Sequence, residues 1–387
     1  MDGNPRKGGG IMTKWIKLFW IGWLPCVCLW GTVGLEYQHI EVLNTSCLKW
    51  ITGYQSIHLL EVDPTLYEIR PIKALDDGIG RESVLSINTR CGALASINGG
   101  FFKIGGTFDG RACGALKIGD WYALPMKPRG CIGWSADDSS PIMDRLQVEV
   151  VGHYRSEQFV IDGLNRPRQE GEMVLYNPSF HRTTLTDPEG EEVVVVDGVV
   201  QSIEKRGSSK IPEKGYVLSI QEKNPLFNSF QVGESLTFST RIHPLMELTR
   251  SEDWQKLSYI VGGAPLLLHP SLQHVDFQEE ETLSSFLTQK FPRTAIGILP
   301  NGHWLFVVVE KTGYFDGMTI EELSQFLQER GCVCALNLDG GDSSTLVYQG
   351  TVKNSPDGDE EIENQKEVKV RRVSDAIVIL PRSHTWQ

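Results

Sequence analysis

From about residue 57 onward, short apolar runs alternate with Gly, Asn, Asp and Pro, a spacing that favours strands joined by tight turns. Residues 192–196 and 199–203 flank Asp197-Gly198, a two-residue turn that accepts positive φ cheaply. Residues 294–299 and 304–309 are likewise parted by Pro300-Asn301-Gly302. The run 305–309 is apolar throughout, which suits a central strand buried on both faces. One helix is clear. Thr319-Ile320-Glu321-Glu322 reads as a capping box, Ile320, Leu323, Phe326 and Leu327 form its apolar stripe, and Gly331 ends it. Residues 332–338 then read as a buried strand that stops at Asp339-Gly340-Gly341, so a strand–helix–strand unit delivers an acidic glycine turn. Residues 354–367 are polar and acidic, an exposed loop before a last strand at 375–380. The expected architecture is α+β (mixed α/β): a single large domain with a mixed sheet and few helices.

Charge narrows the partners. The 387 residues carry −12 overall; residues 1–34 carry +3 (Arg6, Lys7, Lys14 and Lys17 against Asp2), which leaves −15 on the rest. So acidic a body repels phosphate backbones, arguing against nucleic acid, and an anionic substrate needs a local pocket of bases or amides. Lys14 and Lys17 precede an apolar run over 18–33, interrupted by Pro25 and closed by Thr32-Val33-Gly34. Residues 1–34 thus read as a secretory signal, with an uncleaved anchor as the alternative, because 15–33 approaches the ~20 residues of a membrane span. The expectation is an exported protein, periplasmic, in the cell envelope or secreted, touching membrane only through that segment if it stays uncut. Beyond Cys26 and Cys28 in the run, six cysteines remain, too dilute for a disulfide-held scaffold. Buried thiols or one or two bridges are expected. Zinc is disfavoured because no Cys-x-x-Cys pair occurs and the nine histidines are scattered singly.

Common hydrolase and nucleotide motifs are missing: there is no Gly-x-Ser-x-Gly, His-Glu-x-x-His or Gly-Lys-Ser phosphate loop. Gly78-Ile79-Gly80 lacks a third glycine and reads as a loop. Four glycine-flanked polar clusters follow apolar runs or open them: Asn98-Gly99-Gly100-Phe101-Phe102, Gly262-Gly263-Ala264-Pro265, Phe291-Pro292-Arg293-Thr294, and the stretch from Asn337 to Thr345. Glycines there let backbone amides approach a ligand, while Asp, Ser and Thr supply acceptors and donors. Each has a plainer reading: glycine pairs after strands are usually turns, Asn at a turn often bonds its own backbone, and a lone Arg is most often an ion pair. An EF-hand starting at Asp339 fails, because its twelfth position is Gly350. Glu310, at the end of a buried strand, is either catalytic or solvated at the sheet rim.

Taken together and in order, Ser96-Ile97-Asn98-Gly99-Gly100-Phe101-Phe102, Gly262-Gly263-Ala264-Pro265-Leu266-Leu267, Pro292-Arg293-Thr294-Ala295-Ile296-Gly297 and the Asn337–Thr345 stretch resemble the phosphodiester glycosidase family. The resemblance covers about residues 90–380. It implies a catalytic domain at 90–382 after a lead-in segment with the first strands at 35–89. It also implies cleavage of a sugar-1-phosphodiester at the glycosidic bond, with a carbohydrate phosphodiester or envelope glycan as partner and no cofactor. On that footing Asp339 is the expected base or nucleophile, Arg293 the phosphate clamp, and Asn98 the group orienting sugar or water. Gly99, Gly100, Phe101, Phe102, Gly262, Gly263, Thr294, Gly340, Gly341, Ser343 and Ser344 would contact substrate. Asp342 stands where the family usually has a third glycine, and reads as a second carboxylate, a divalent-cation ligand or a solvent-facing residue. A chain without the cysteine-rich module and C-terminal span of animal members suits a bacterial-type envelope protein. Two alternatives remain open: a non-catalytic exported glycan-binding or envelope-assembly protein, and a metal-dependent phosphodiesterase.

Overall fold

A computed structural model describes residues 27–42, 53–137, 140–246, 248–355 and 370–382, with side chains from Thr32 onward. The apolar run up to residue 26, Cys47 and most of the expected acidic loop lie outside the described residues. Among the described residues, 24 strands and four α-helices make a fold dominated by sheet.

Four sheets build it. The first orders Val27–Thr32, Leu35–Val42, Gln55–Val62, Trp304–Val309, Arg293–Ile298, Cys334–Asn337 and Leu266–Leu268, antiparallel at every step. The second orders Glu157–Ile161, Ile142–Tyr154, Arg129–Trp134, Tyr259–Gly262, Leu116–Ile118 and Asp120–Ala123, and Leu236–Pro244 also pairs with Ile142–Tyr154. The third is Gly163–Leu164, Met173–Tyr176, Gly215–Gln221, Gly190–Val196 and Val199–Glu204. The fourth is Thr351–Val352, Leu346–Tyr348, Ala95–Asn98, Asp375–Pro381 and Tyr67–Lys73.

The mixed α+β expectation holds only coarsely. Among the described residues the one parallel strand pairing is Gly163–Leu164 with Met173–Tyr176. The strand–helix–strand unit shows why. Trp304–Val309 and Cys334–Asn337 run in the same direction, but Arg293–Ile298 lies between them and pairs antiparallel with both. The helix Ile320–Glu329 therefore crosses over without creating a parallel pair. Its capping box is formed: Glu322 N donates to Thr319 Oγ1 at 3.1 Å and Thr319 N to Glu322 Oε2 at 2.9 Å. The 190–204 hairpin also forms, Asp197 and Gly198 both taking positive φ.

Trp134 fastens three of the sheets. Its ring meets Trp304 edge-on at 5.0 Å, and its indole N–H donates to Ile69 O at 2.7 Å. A buried Trp bonded through its N–H contributes area without leaving an unsatisfied donor. The main core runs from Leu35 through Ile57–Val62 and the 293–309 hairpin to Leu346 and Ile377, and a second core fills the space between the second and third sheets. Five described cysteines are free thiols, Cys131, Cys332 and Cys334 buried and Cys91 and Cys113 half-buried.

Candidate active site

Strand ends from three sheets meet at one point. Ala95–Asn98 and Asp375–Pro381 come from the fourth sheet, Cys334–Asn337 and Arg293–Ile298 from the first, and Tyr259–Gly262 from the second. Their backbones bond directly: Gly99 N to Asp375 O at 2.9 Å, Leu338 N to Thr294 O at 2.8 Å, Gly341 N to Pro292 O at 2.9 Å, and Ala264 N to Asn337 O at 2.9 Å. The glycines make this closure possible. A Cβ on Gly99 would lie 1.8 Å from Asp375 Oδ2, and one on Gly263 would lie 2.1 Å from Asn337 O. Gly100, Gly262 and Gly340 are crowded by neighbouring backbone in the same way. Only Gly341 of these takes positive φ, at 60°, with open space where a side chain would be.

Asn98 is fully buried with all four hydrogen-bonding positions of its amide occupied. Nδ2 donates to Asp339 O at 2.8 Å and Gly99 O at 3.3 Å; Oδ1 accepts from Thr294 Oγ1 at 2.8 Å and Thr345 N at 3.1 Å. Asn98 and Thr294 thus position the Asp339 turn, and the Asn98 amide has no capacity left for a sugar or water.

Arg293 likewise departs from the expected clamp. It is 1 % exposed, its guanidinium lies over the Phe286 ring at 4.8 Å and the Phe291 ring at 5.3 Å, and Nε donates to Met318 O. Nη2 donates to Phe286 O and Gln289 O. Only Nη1 lacks a partner, so no bidentate fork remains for a phosphate. Burial lowers its pKa to about 10.

Asp339 is different. Its carboxylate accepts from Gly340 N at 3.0 Å and is held by the Ser343 side chain, yet burial drives its pKa up to about 7. Arg371 pulls that value down and Asp375 pushes it up. Asp375, wholly buried and raised by burial, accepts from Gly100 N at 3.2 Å; Lys73 opposes the rise. Lys73 donates Nζ to Gly110 O and Ser374 O, and burial lowers it to about 8. Asp342 forms an ion pair with Arg371, both partly exposed. Asp342 is thereby neither buried nor unpaired, and no other described carboxylate or imidazole joins it as a metal cluster.

A cleft of about 320 Å³ opens beside these turns, lined by Phe101, Cys113, Gly114, Gly263, Ala264 and Phe286 among others. Phe101 and Phe286 meet edge-on at 6.0 Å. Phe102 points away, packed with the Val84–Ile87 cluster. Burial raises the Cys113 thiol, Arg111 and Lys103 lower it, and the Asp339 charge reaches it. Ser343 and Ser344 are buried, the Ser344 hydroxyl without a partner. Glu310 does not join this group. It sits beyond Val309, facing His58 and accepting from Ser355 N. Sequence reasoning missed Asp375, Arg371 and Lys73, single residues with no motif around them.

A carboxylate with a pKa in the neutral range, near cations and an aromatic cleft, can exchange a proton at neutral pH, the property acid–base chemistry requires. Residues 189–380 match the family model described as phosphodiester glycosidase, and the chain carries a domain of that kind. It is 25% identical to an uncharacterized protein of Rickettsia conorii over 57% of this chain and 76% of that one. It is 33% identical to the mouse N-acetylglucosamine-1-phosphodiester alpha-N-acetylglucosaminidase, over 30% of this chain and 22% of the mouse protein. The match thus spans about a fifth of that enzyme. The crystal structure of a hypothetical protein from Synechocystis superposes with a TM-score of 0.77 at 25% identity, covering 93% of this chain and 64% of that one.

Proposed function

We propose that the protein is a hydrolase that cleaves a sugar-1-phosphodiester at the glycosidic bond, releasing sugar and a phosphomonoester. The observation that carries the reading is the Asp339 carboxyl, raised to about 7 at the junction of three sheets. In the mechanism we assign, ionised Asp339 takes a proton from a water as that water's oxygen bonds to the anomeric carbon. The bond from that carbon to the phosphate oxygen breaks, and its electron pair leaves with the phosphomonoester. A leaving phosphate is already a stabilised anion, so it demands less protonation than a sugar alkoxide. Arg371 supplies the positive charge for it, with Arg111 and Lys103 on the Cys113 side. Phe101 and Phe286 offer the sugar ring an apolar face. Arg293 and Asn98 act through what they hold, the Phe286 segment and the Asp339 turn.

The test is product analysis on a panel of sugar-1-phosphodiesters with wild type and Asp339→Asn, each with and without chelator. Sugar and phosphomonoester from wild type, reduced about 1000-fold in the variant, support the assignment. A wild type that binds sugar phosphates but releases nothing from any member would make this a glycan-binding protein instead. Arg371→Ala is expected to raise KM for phosphodiesters about tenfold while altering kcat less. The family role fits an exported protein, a reading supported by the apolar run over 18–33 after Lys14 and Lys17. N-terminal sequencing of the mature chain checks it.

A further inference from the structure

Two of the singly scattered histidines meet. His39 and His58 are directly opposite in the antiparallel pair of Leu35–Val42 with Gln55–Val62, and their rings stack at 4.3 Å, tilted only 4°. Trp304–Val309 is the next strand, and just past its end Glu310 N bonds Ser56 O at 2.9 Å. Three neighbouring strands thereby bring two imidazoles and a carboxylate together, one donor atom from each lying within 4.8 Å of the others.

We propose that His39, His58 and Glu310 form a binding site for a divalent first-row transition-metal ion of zinc type. His58 is 2 % exposed, and its Nε2 stands 3.1 Å from Glu310 Oε1. The other ring nitrogen, Nδ1, is fixed by the Tyr37 hydroxyl at 2.8 Å. That is how ligating histidines are oriented: the far nitrogen is held by a second group while the near one faces the ion. Zinc bonds nitrogen and carboxylate oxygen at about 2.0–2.2 Å, which puts neighbouring tetrahedral ligands about 3.4 Å apart. The His58–Glu310 separation is close to that. His39, 30 % exposed and bonded to Ser56 Oγ at 2.9 Å, is the ligand that turns inward. Glu41, 3.9 Å from His39 Nε2, adds a second negative charge at the open side, which balances a dication. Two nitrogen donors argue against calcium or magnesium, which prefer oxygen.

The ion would fasten the substrate turn from behind. Glu310 accepts from Ser355 N, and the adjacent Asn354 donates to Ser344 O at 2.8 Å and accepts from Leu346 N at 2.8 Å. The site is thus distinct from Asp339 and independent of the proposed reaction.

Cobalt(II) titration of the full chain tests it, read by visible absorption and followed by zinc competition, with His39→Ala and Glu310→Gln in parallel. Expected are one cobalt per chain, displacement by zinc, a zinc-dependent rise in wild-type Tm, and at least tenfold weaker binding in each variant. Circular dichroism establishes that the variants fold. No saturable cobalt binding by folded wild type overturns the proposal, and so does unchanged affinity in either folded variant.

Discussion

At the scale of single residues, the carboxyl of Asp339 makes two behaviours separable. Its folded pKa near 7 stands well above the usual value of 3.8, so the folded state holds this proton more tightly than the unfolded chain. The charged, buried form is the costly one. Stability therefore falls as pH rises from about 4 to about 7 and levels off above that. Asp339→Asn removes the cost, so its Tm should exceed wild type at pH 8 and approach it at pH 4, by thermal melts in matched buffers. Activity runs the other way: as a base, Asp339 works ionised, and kcat/KM should climb through an inflection near pH 7. A flat profile over pH 5–8 would remove Asp339 from that role. Arg293 holds its own segment together through its Nε and Nη2 bonds. Arg293→Ala removes the side-chain donors of the Phe286 and Gln289 carbonyls, one of two donors to Met318 O, and the cation over two rings, and should cost about 2–4 kcal/mol in denaturant melts.

Among the secondary-structure elements, what was readable in the sequence was local. The Asp197-Gly198 hairpin, the 293–309 hairpin and the capped Ile320–Glu329 helix each carry their signal within a few residues. What escaped was set by partners far along the chain. Lys73 bonds Ser374 across 301 positions, and Asn98 bonds Asp339 across 241. Periodicity within a strand does not say which other strand it meets, so Asp375, Arg371 and the His39–His58 pair carried no visible sign. The glycine clusters have a packing role. They let strand ends from separate sheets touch, and Asn98 and Arg293 brace the joint. Gly263→Ala, whose added methyl would collide with Asn337 O, should lower stability by about 3 kcal/mol or prevent folding, measured by urea denaturation.

For the molecule as a whole, the strands Leu35–Val42 and Gln55–Val62 are parts of the main sheet. Leu35, Tyr37, Ile40 and Val42 are all buried against it. At about 1.5–3 kcal/mol for each fully buried apolar side chain, removing four exceeds the margin of many domains. A chain starting at residue 35 should be soluble and monodisperse by gel filtration, while one starting at residue 53 should aggregate. The same sheet also bears on the timing of synthesis. Tyr54 N donates to Asp316 Oδ2, 262 positions later, and Gln55–Val62 stays open along one edge until Trp304–Val309 has been made. A nascent chain must carry that unpaired edge past the ribosome for most of its length. The order of its strands thus leaves an aggregation-prone edge exposed through most of synthesis.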